Sequence, residues 1–148
     1  AHIAHDCKVG NNCVFANNAT LAGHVEVGDW AILGGLAAVH QWSRIGCHSF
    51  IGGLAAVTRD LLPFGMAVGN RANLEGINLI GMRRRNFSKS EIDEVKKVYS
   101  ILFNANDLEF KNKINKLKEE KFSSDPAKII TDFVNVETNR SYVSPTEI

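Results

Sequence analysis

Apolar side chains recur every six residues along the first part of the chain, at Ile3, Val9, Phe15, Leu21, Val27, Leu33, Val39, Ile45, Ile51 and Val57. The residues that follow them are Ala4, Gly10, Ala16, Ala22, Gly28, Gly34, His40, Gly46, Gly52 and Thr58, so eight of the ten are Gly or Ala. A helix repeats every 3.6 residues and a half-buried strand every 2, and neither period spaces apolar residues this way. A hexapeptide repeat does. Nine consecutive hexads from Ile3 to Arg59 predict a parallel β-helix in which three hexads make one triangular coil. The apolar residue points inward, and the small residue beside it lets the chain turn a tight corner against the neighbouring coil. Residues 1–60 are read as these coils.

The pattern then changes. Pro63, Gly65, Gly69, Asn70, Asn73 and Gly76 mark residues 61–76 as a connecting loop. Residues 77–148 are read as a C-terminal helical domain. Ser88 with Glu91 forms a capping box ahead of Ile92, Val95, Tyr99, Leu102 and Phe103 at helical spacing. A second helix runs from about Asp107 to Lys121, with Leu108, Ile114 and Leu117 as its apolar stripe. Asp125 and Pro126, as N-cap and first-turn proline, open a third with Ile129, Ile130, Phe133 and Val134 on its buried face. The tail from Ser141, with Pro145 and no periodicity, is expected to be irregular.

Composition narrows the function. The formal net charge is +1. Residues 1–60 carry three basic and four acidic residues, whereas residues 61–148 carry fourteen and twelve, interleaved except at Arg83, Arg84 and Arg85. That pattern gives no nucleic-acid footprint. No apolar run reaches the roughly 18 residues of a membrane span, and no signal peptide is present, so the chain is expected in the cytoplasm. Cys7, Cys13 and Cys47 are odd in number and read as reduced core fillers. The chain opens inside the repeat at Ala1, and a segment ahead of it is expected, because a bare solenoid end exposes strand edges and apolar surface.

The histidines are placed by hexad arithmetic. His5 lies in the first hexad, His24 in the fourth and His40 in the seventh, so all three fall on one face of a three-sided coil. Successive coils rise about 4.8 Å, which lets neighbouring imidazoles face one substrate. His48 falls on another face and is read as a solvated surface residue. Three imidazoles are also a common zinc set, but no metal is expected, since no pair of histidines stands five residues apart as in zinc hydratases of this architecture. General acid–base chemistry fits better: one neutral imidazole near its intrinsic pKa of about 6.5 suffices. His5 is followed by Asp6, whose carboxylate can orient an imidazole, although strand alternation sends adjacent side chains to opposite sides.

The stretches AHIAHDC, NNATLAGHV, GGLAAVHQW, IGCHSFIGG and PFGMAVGNRANLEGINLIGMRRRNFS resemble the UDP-N-acetylglucosamine 3-O-acyltransferase family, which acts first in lipid A synthesis. A related N-acyltransferase, acting one acylation later, shares a similar HIAH element but lacks the GNRANLEGINLIGMRRR run. The resemblance implies a left-handed parallel β-helix followed by an α-helical domain, with a homotrimer and a site at each subunit boundary. It implies transfer of an (R)-3-hydroxyacyl chain from acyl carrier protein to the sugar 3-hydroxyl of UDP-N-acetylglucosamine, without cofactor or covalent intermediate. By the same resemblance, His5 is the general base with Asp6 as its partner, and the backbone N–H of Gly23 donates to the oxyanion. His2, His24, His40 and Gln41 match positions that bind the sugar nucleotide or acyl chain, and Asn78 another ligand-contacting position. Arg84 is the favoured phosphate ligand, with Arg85 beside it. Gly53 matches the position that measures acyl length, where the absent side chain leaves room for a long chain. The alternatives are the N-acyltransferase, or an incomplete β-helix fragment acting only as a trimeric scaffold.

Overall fold

A computed structural model describes residues 1–104 and 108–146. The chain separates into two compact units, Ala1–Asn78 together with the chain from Asn139 onward, and Leu79–Thr138.

The first unit is a parallel β-helix. Its two-residue strands are β1 His2–Ile3, β2 Lys8–Val9, β3 Val14–Phe15, β4 Thr20–Leu21, β5 Glu26–Val27, β6 Ile32–Leu33, β7 Ala38–Val39, β8 Arg44–Ile45, β9 Phe50–Ile51 and β10 Ala56–Val57. They stack into three sheets, β1-β4-β7-β10, β2-β5-β8 and β3-β6-β9, the last extended by two further strands. The register is unbroken: His2 pairs Thr20, Thr20 pairs Ala38 and Ala38 pairs Ala56, so one coil takes eighteen residues.

Two columns fill the interior. Leu21, Leu33, Ile51 and Val57 are fully buried, as the apolar hexad position requires. A second inward column, Ala19, Val25, Ala31, Ala37, Ser43, Ser49 and Ala55, keeps the same period two residues earlier and is equally buried. Cys7 and Cys13 continue that column, and none of the three cysteines forms a disulfide. Burial fails only at the first coil, where Ile3 is 49% and Val9 38% exposed.

The small residue after each strand works by close approach rather than by left-handed backbone. A Cβ on Gly28 would stand 2.5 Å from the Cys47 nitrogen, and one on Gly46 would run into Pro63. The left-handed corners belong instead to residues two positions further on. Every sixth residue from Asp6 to Leu54 has φ between 57° and 65°, and none of them is glycine. Asp, Asn and His tolerate this region best among side-chain-bearing residues; Trp30, Leu36, Trp42 and Leu54 occupy it here as well.

The expected loop at 61–76 is a correction. Leu61 bridges Ile45, and β11 Gly65–Val68 pairs in parallel with β9 as the next rung of the third sheet. β12 Asn73–Ile77 folds back antiparallel on β11, with Gly69 at φ +102° in the turn and Gly76 at φ +134° beside the register shift. Glycine and asparagine marked these turns correctly; what the sequence did not show was that the coil edge supplies hydrogen bonds for another strand. The tail also belongs to this unit. Asp60 bridges Tyr142, and the Leu74 N–H donates to the Ser144 carbonyl at 2.9 Å. The helical domain is therefore shorter than residues 77–148.

Among the described residues, the second unit holds four helices, α1 Leu79–Arg84, α2 Lys89–Phe103, α3 Phe110–Glu119 and α4 Asp125–Asn135. The Ser88–Glu91 capping box forms in both directions, and Ile92, Val95, Tyr99 and Leu102 are buried. Leu117 is the buried residue of α3, whose expected start at Asp107 lies outside the described residues. Ser124, rather than Asp125, caps α4, accepting from the Ala127 N–H, and Ile129 points outward while Ile130 and Val134 are buried. Among the described residues, no helix is long and apolar enough to cross a membrane.

Candidate active site

Eighteen-residue coils turn the sequence into columns. At the corner after the first sheet, His5 lies under Gly23 and Gln41, while Asp6 lies under His24 and Trp42. Backbone hydrogen bonds tie these corners together: His24 N–H donates to the His5 carbonyl at 3.0 Å and Trp42 N–H to the Gly23 carbonyl at 3.1 Å. His5 and Asp6 are turn residues, with Asp6 at φ 58°, so strand alternation does not part their side chains.

The two meet at 2.9 Å, His5 Nδ1 to Asp6 Oδ2. The hydrogen bond from His5, reinforced by the field of His24, holds the Asp6 carboxyl below its ordinary 3.8. An ionised carboxylate only accepts, so Nδ1 is the donor and the neutral ring carries its lone pair on Nε2. That nitrogen lies against Gly23, where an added Cβ would stand 2.6 Å from His5 Nε2 and Cε1. Glycine is thus required at 23 for the ring to pack there. The Gly23 N–H, unlike its carbonyl, meets no backbone acceptor among the described residues.

His24 completes the cluster. Its ring is edge-on to that of His5, centroids 4.9 Å apart at 87°, and its Nε2 lies 3.8 Å from Asp6 Oδ2. It also stacks face to face on Trp42, centroids 3.9 Å apart at 1°. The donor atoms of His5, Asp6 and His24 lie within 4.8 Å of one another. Two imidazoles and a carboxylate can ligate a divalent ion, but an ion there would take the groups that base chemistry needs, so the two uses exclude each other. The side chains of His5 and Asp6 are mostly in water, which leaves the dyad open to a substrate.

The other expected residues divide. His40 shares the sheet but not the column: it stacks over Ala22, and it is exposed outside the His5–Asp6–His24 group. Face arithmetic was right, but position within the hexad decides the column. His2 is exposed on β1, opposite in alternation to inward Ile3. Gln41 stands over Gly23, its carbonyl accepting from Arg140 Nη1 at 3.4 Å. Asn78 is buried at another corner, its Nδ2 donating to the His48 carbonyl at 3.0 Å. Gly53 ends the column Asn17–Gly35–Gly53 after the third sheet, beside Leu36 and Leu54, which are 56% and 68% exposed. Arg84 is exposed at the end of α1, and Arg85, half-buried, donates its N–H to the Gly81 carbonyl at 3.1 Å. His48 is no solvated residue: its half-buried ring stacks on Phe64 at 5.2 Å.

Trp42 was missed. The signal was available, because it stands eighteen residues after His24.

Comparison with known proteins finds relatives along most of the chain. The second-domain model of the UDP N-acetylglucosamine O-acyltransferase family covers residues 60–143. The acyl-(acyl-carrier-protein)–UDP-N-acetylglucosamine O-acyltransferase of Sinorhizobium fredii is 43% identical over 98% of this chain and 53% of its own length. That of Burkholderia thailandensis is 47% identical over 90% of this chain and 52% of its own. Among solved structures, UDP-N-acetylglucosamine acyltransferase from Campylobacter jejuni aligns with a TM-score of 0.84 at 38% identity, over 98% of this chain and 55% of that one. The Arabidopsis enzyme aligns at 0.87 and 34% identity, over 95% and 51%. The chain spans about half the length of the curated relatives it matches. With a family model covering more than half of its residues, the chain belongs to the UDP-N-acetylglucosamine O-acyltransferase family.

Proposed function

We propose that this chain carries the catalytic corner of an acyltransferase that moves an (R)-3-hydroxyacyl chain from acyl carrier protein to the 3-hydroxyl of UDP-N-acetylglucosamine. The His5–Asp6 contact at 2.9 Å, with Nε2 left as the lone-pair nitrogen, is the observation that carries the reading. His5 Nε2 takes the proton of the sugar hydroxyl as its oxygen attacks the thioester carbonyl. Asp6 balances the imidazolium so formed. The Gly23 N–H donates to the tetrahedral oxyanion, a preorganised dipole where negative charge develops. As the intermediate collapses, the C–S bond breaks and the imidazolium returns its proton to the thiolate. The chemistry needs no cofactor and no metal.

His24, His2, His40 and Gln41 bind the sugar nucleotide or the acyl chain, Asn78 is a further ligand contact, and Arg84 with Arg85 binds phosphate, for which the guanidinium fork is suited. Gly53 admits a long acyl chain. The coils wind left-handed and the protein works as a cytoplasmic homotrimer, whose neighbouring prism closes the groove that one exposed face leaves open.

The test is His5→Ala in the full-length protein, assayed with 3-hydroxyacyl carrier protein and UDP-N-acetylglucosamine. A loss of at least about a hundredfold in kcat with the fold intact is expected. Near-normal turnover in the variant overturns the base assignment, and a base-stable amide product redirects the reading to the N-acyltransferase. Preference for chains of about ten carbons would count against the role of Gly53.

A further inference from the structure

The dyad and Gly23 do not use the most regular contact in the site, the indole of Trp42 parallel to His24 at 3.9 Å. Trp42 holds the coil below it twice. Its backbone N–H donates to the Gly23 carbonyl at 3.1 Å, and its ring covers the imidazole of the next residue. From the other side, the His5 carbonyl takes the His24 N–H at 3.0 Å and the His5 ring meets the His24 ring edge-on. His24 is therefore fixed between the coil before it and the coil after it. Its two side-chain torsions would otherwise be free at a corner with solvent on its flank.

The indole itself is 57% exposed. A side chain that leaves so much apolar surface in water adds little to a core, yet it is held in one orientation against an imidazole. We propose that Trp42 is a positioning residue of the acyl-transfer site: its indole sets the plane of His24, keeping that ring edge-on to His5 and its Nε2 beside the Asp6 carboxylate. This role rests on the functional reading above, and it extends that site to a residue from the following coil. Trp42 acts through His24 and touches no reacting atom.

The full-length protein and its Trp42→Ala and Trp42→Phe variants test the role. In the unaltered chain the ring-current field of a parallel indole moves the His24 ring-proton resonances upfield, with His24→Gln supplying the assignment. In Trp42→Ala they return downfield, kcat/KM falls roughly three- to tenfold and the unfolding midpoint stays in place. Trp42→Phe restores most of both signals, because a smaller ring can still stack. Unchanged His24 resonances in Trp42→Ala overturn the stack. Displaced resonances with unchanged kcat/KM overturn the positioning role. No transfer by the unaltered chain overturns the functional reading itself, while the resonances still report whether the indole holds the imidazole.

Discussion

Asp6 decides which nitrogen of His5 is basic. In Asp6→Asn the side-chain amide can turn and donate to Nδ1, which moves the ring proton to Nε2 and removes the lone pair that attacks. A fall in kcat of roughly a hundredfold is expected, with KM little changed, in steady-state assays of the full-length variant. An unchanged kcat would sink the dyad. The pH sign follows from the direction of the shift. Asp6 titrates below its ordinary 3.8, chiefly through its bond to His5 and then through His24, so its charge is complete above that value and is lost only as pH falls through the lowered one. A decline in activity nearer neutral pH therefore does not belong to Asp6. The sequence made His5 and Asp6 legible as partners, but strand alternation left their direct contact unassured. What it lacked was that residues 5 and 6 form the corner, where alternation no longer governs. The same shortfall passed over Trp42: face follows from counting hexads, whereas column follows from counting residues in eighteens.

At the scale of the element, one coil's tolerance for a methyl group depends on what the next coil puts beside it. Gly28→Ala would drive a Cβ against the backbone of Cys47 at 2.5 Å, whereas Gly35→Ala meets only the Asn17 carbonyl at 3.5 Å. The first is expected to destabilise by about 1–3 kcal/mol and the second by less than about 0.5, measured by chemical denaturation. Equal effects would show that close approach is not what these glycines serve. The hexad spacing marks Gly28 as a small corner residue and says nothing of Gly35, one place beyond that position, nor does it show how tight either is, because tightness is a relation between coils. In the helical unit, the Ser88 box was legible as a local motif, while the cap of α4 depends on a distant partner. Glu94 of α2 accepts from Ser124 N–H at 2.9 Å and from Ser123 N–H and Oγ at 3.2 and 3.0 Å. Hydrogen bonds from Ser124, with those from Ser123, hold its carboxyl down at about 2 instead of 4.5. A depressed acid stabilises the fold above its unfolded pKa, so this contribution is complete above 4.5 and fades as pH falls toward about 2. Melting curves across that interval are expected to drop more steeply for the unaltered chain than for Glu94→Gln; parallel curves would remove Glu94 from the account.

For the whole molecule, the chain leaves the coils after Asn78, builds the helical unit and returns at Asn139, so the coil unit is closed by residues far apart in sequence. Asp60 is the knot. Its carboxylate, fully buried, accepts from Arg44 Nε and Arg140 Nε, both at 2.8 Å, and from the Arg44 N–H at 3.0 Å. Its backbone donates to the Ser141 carbonyl at 3.0 Å and accepts from the Val143 N–H at 2.8 Å. Arg140 also reaches the Ser43 hydroxyl at 2.7 Å and the Thr58 carbonyl at 3.0 Å, around the corner that carries Gln41 and Trp42. No periodicity announces such a contact, which is why the tail looked patternless. Removing one member of a buried ionic group leaves the others desolvated without their counter-charge, so Asp60→Ala is expected to destabilise the coil unit by about 3–5 kcal/mol. Because the same variant frees the returning segment, proteolysis should begin near residues 139–146 in Asp60→Ala before it touches the coils. A loss below about 1 kcal/mol with the tail still protected would mean that the backbone hydrogen bonds of Asp60 and Leu74 hold the segment, and that the two arginines add nothing to it.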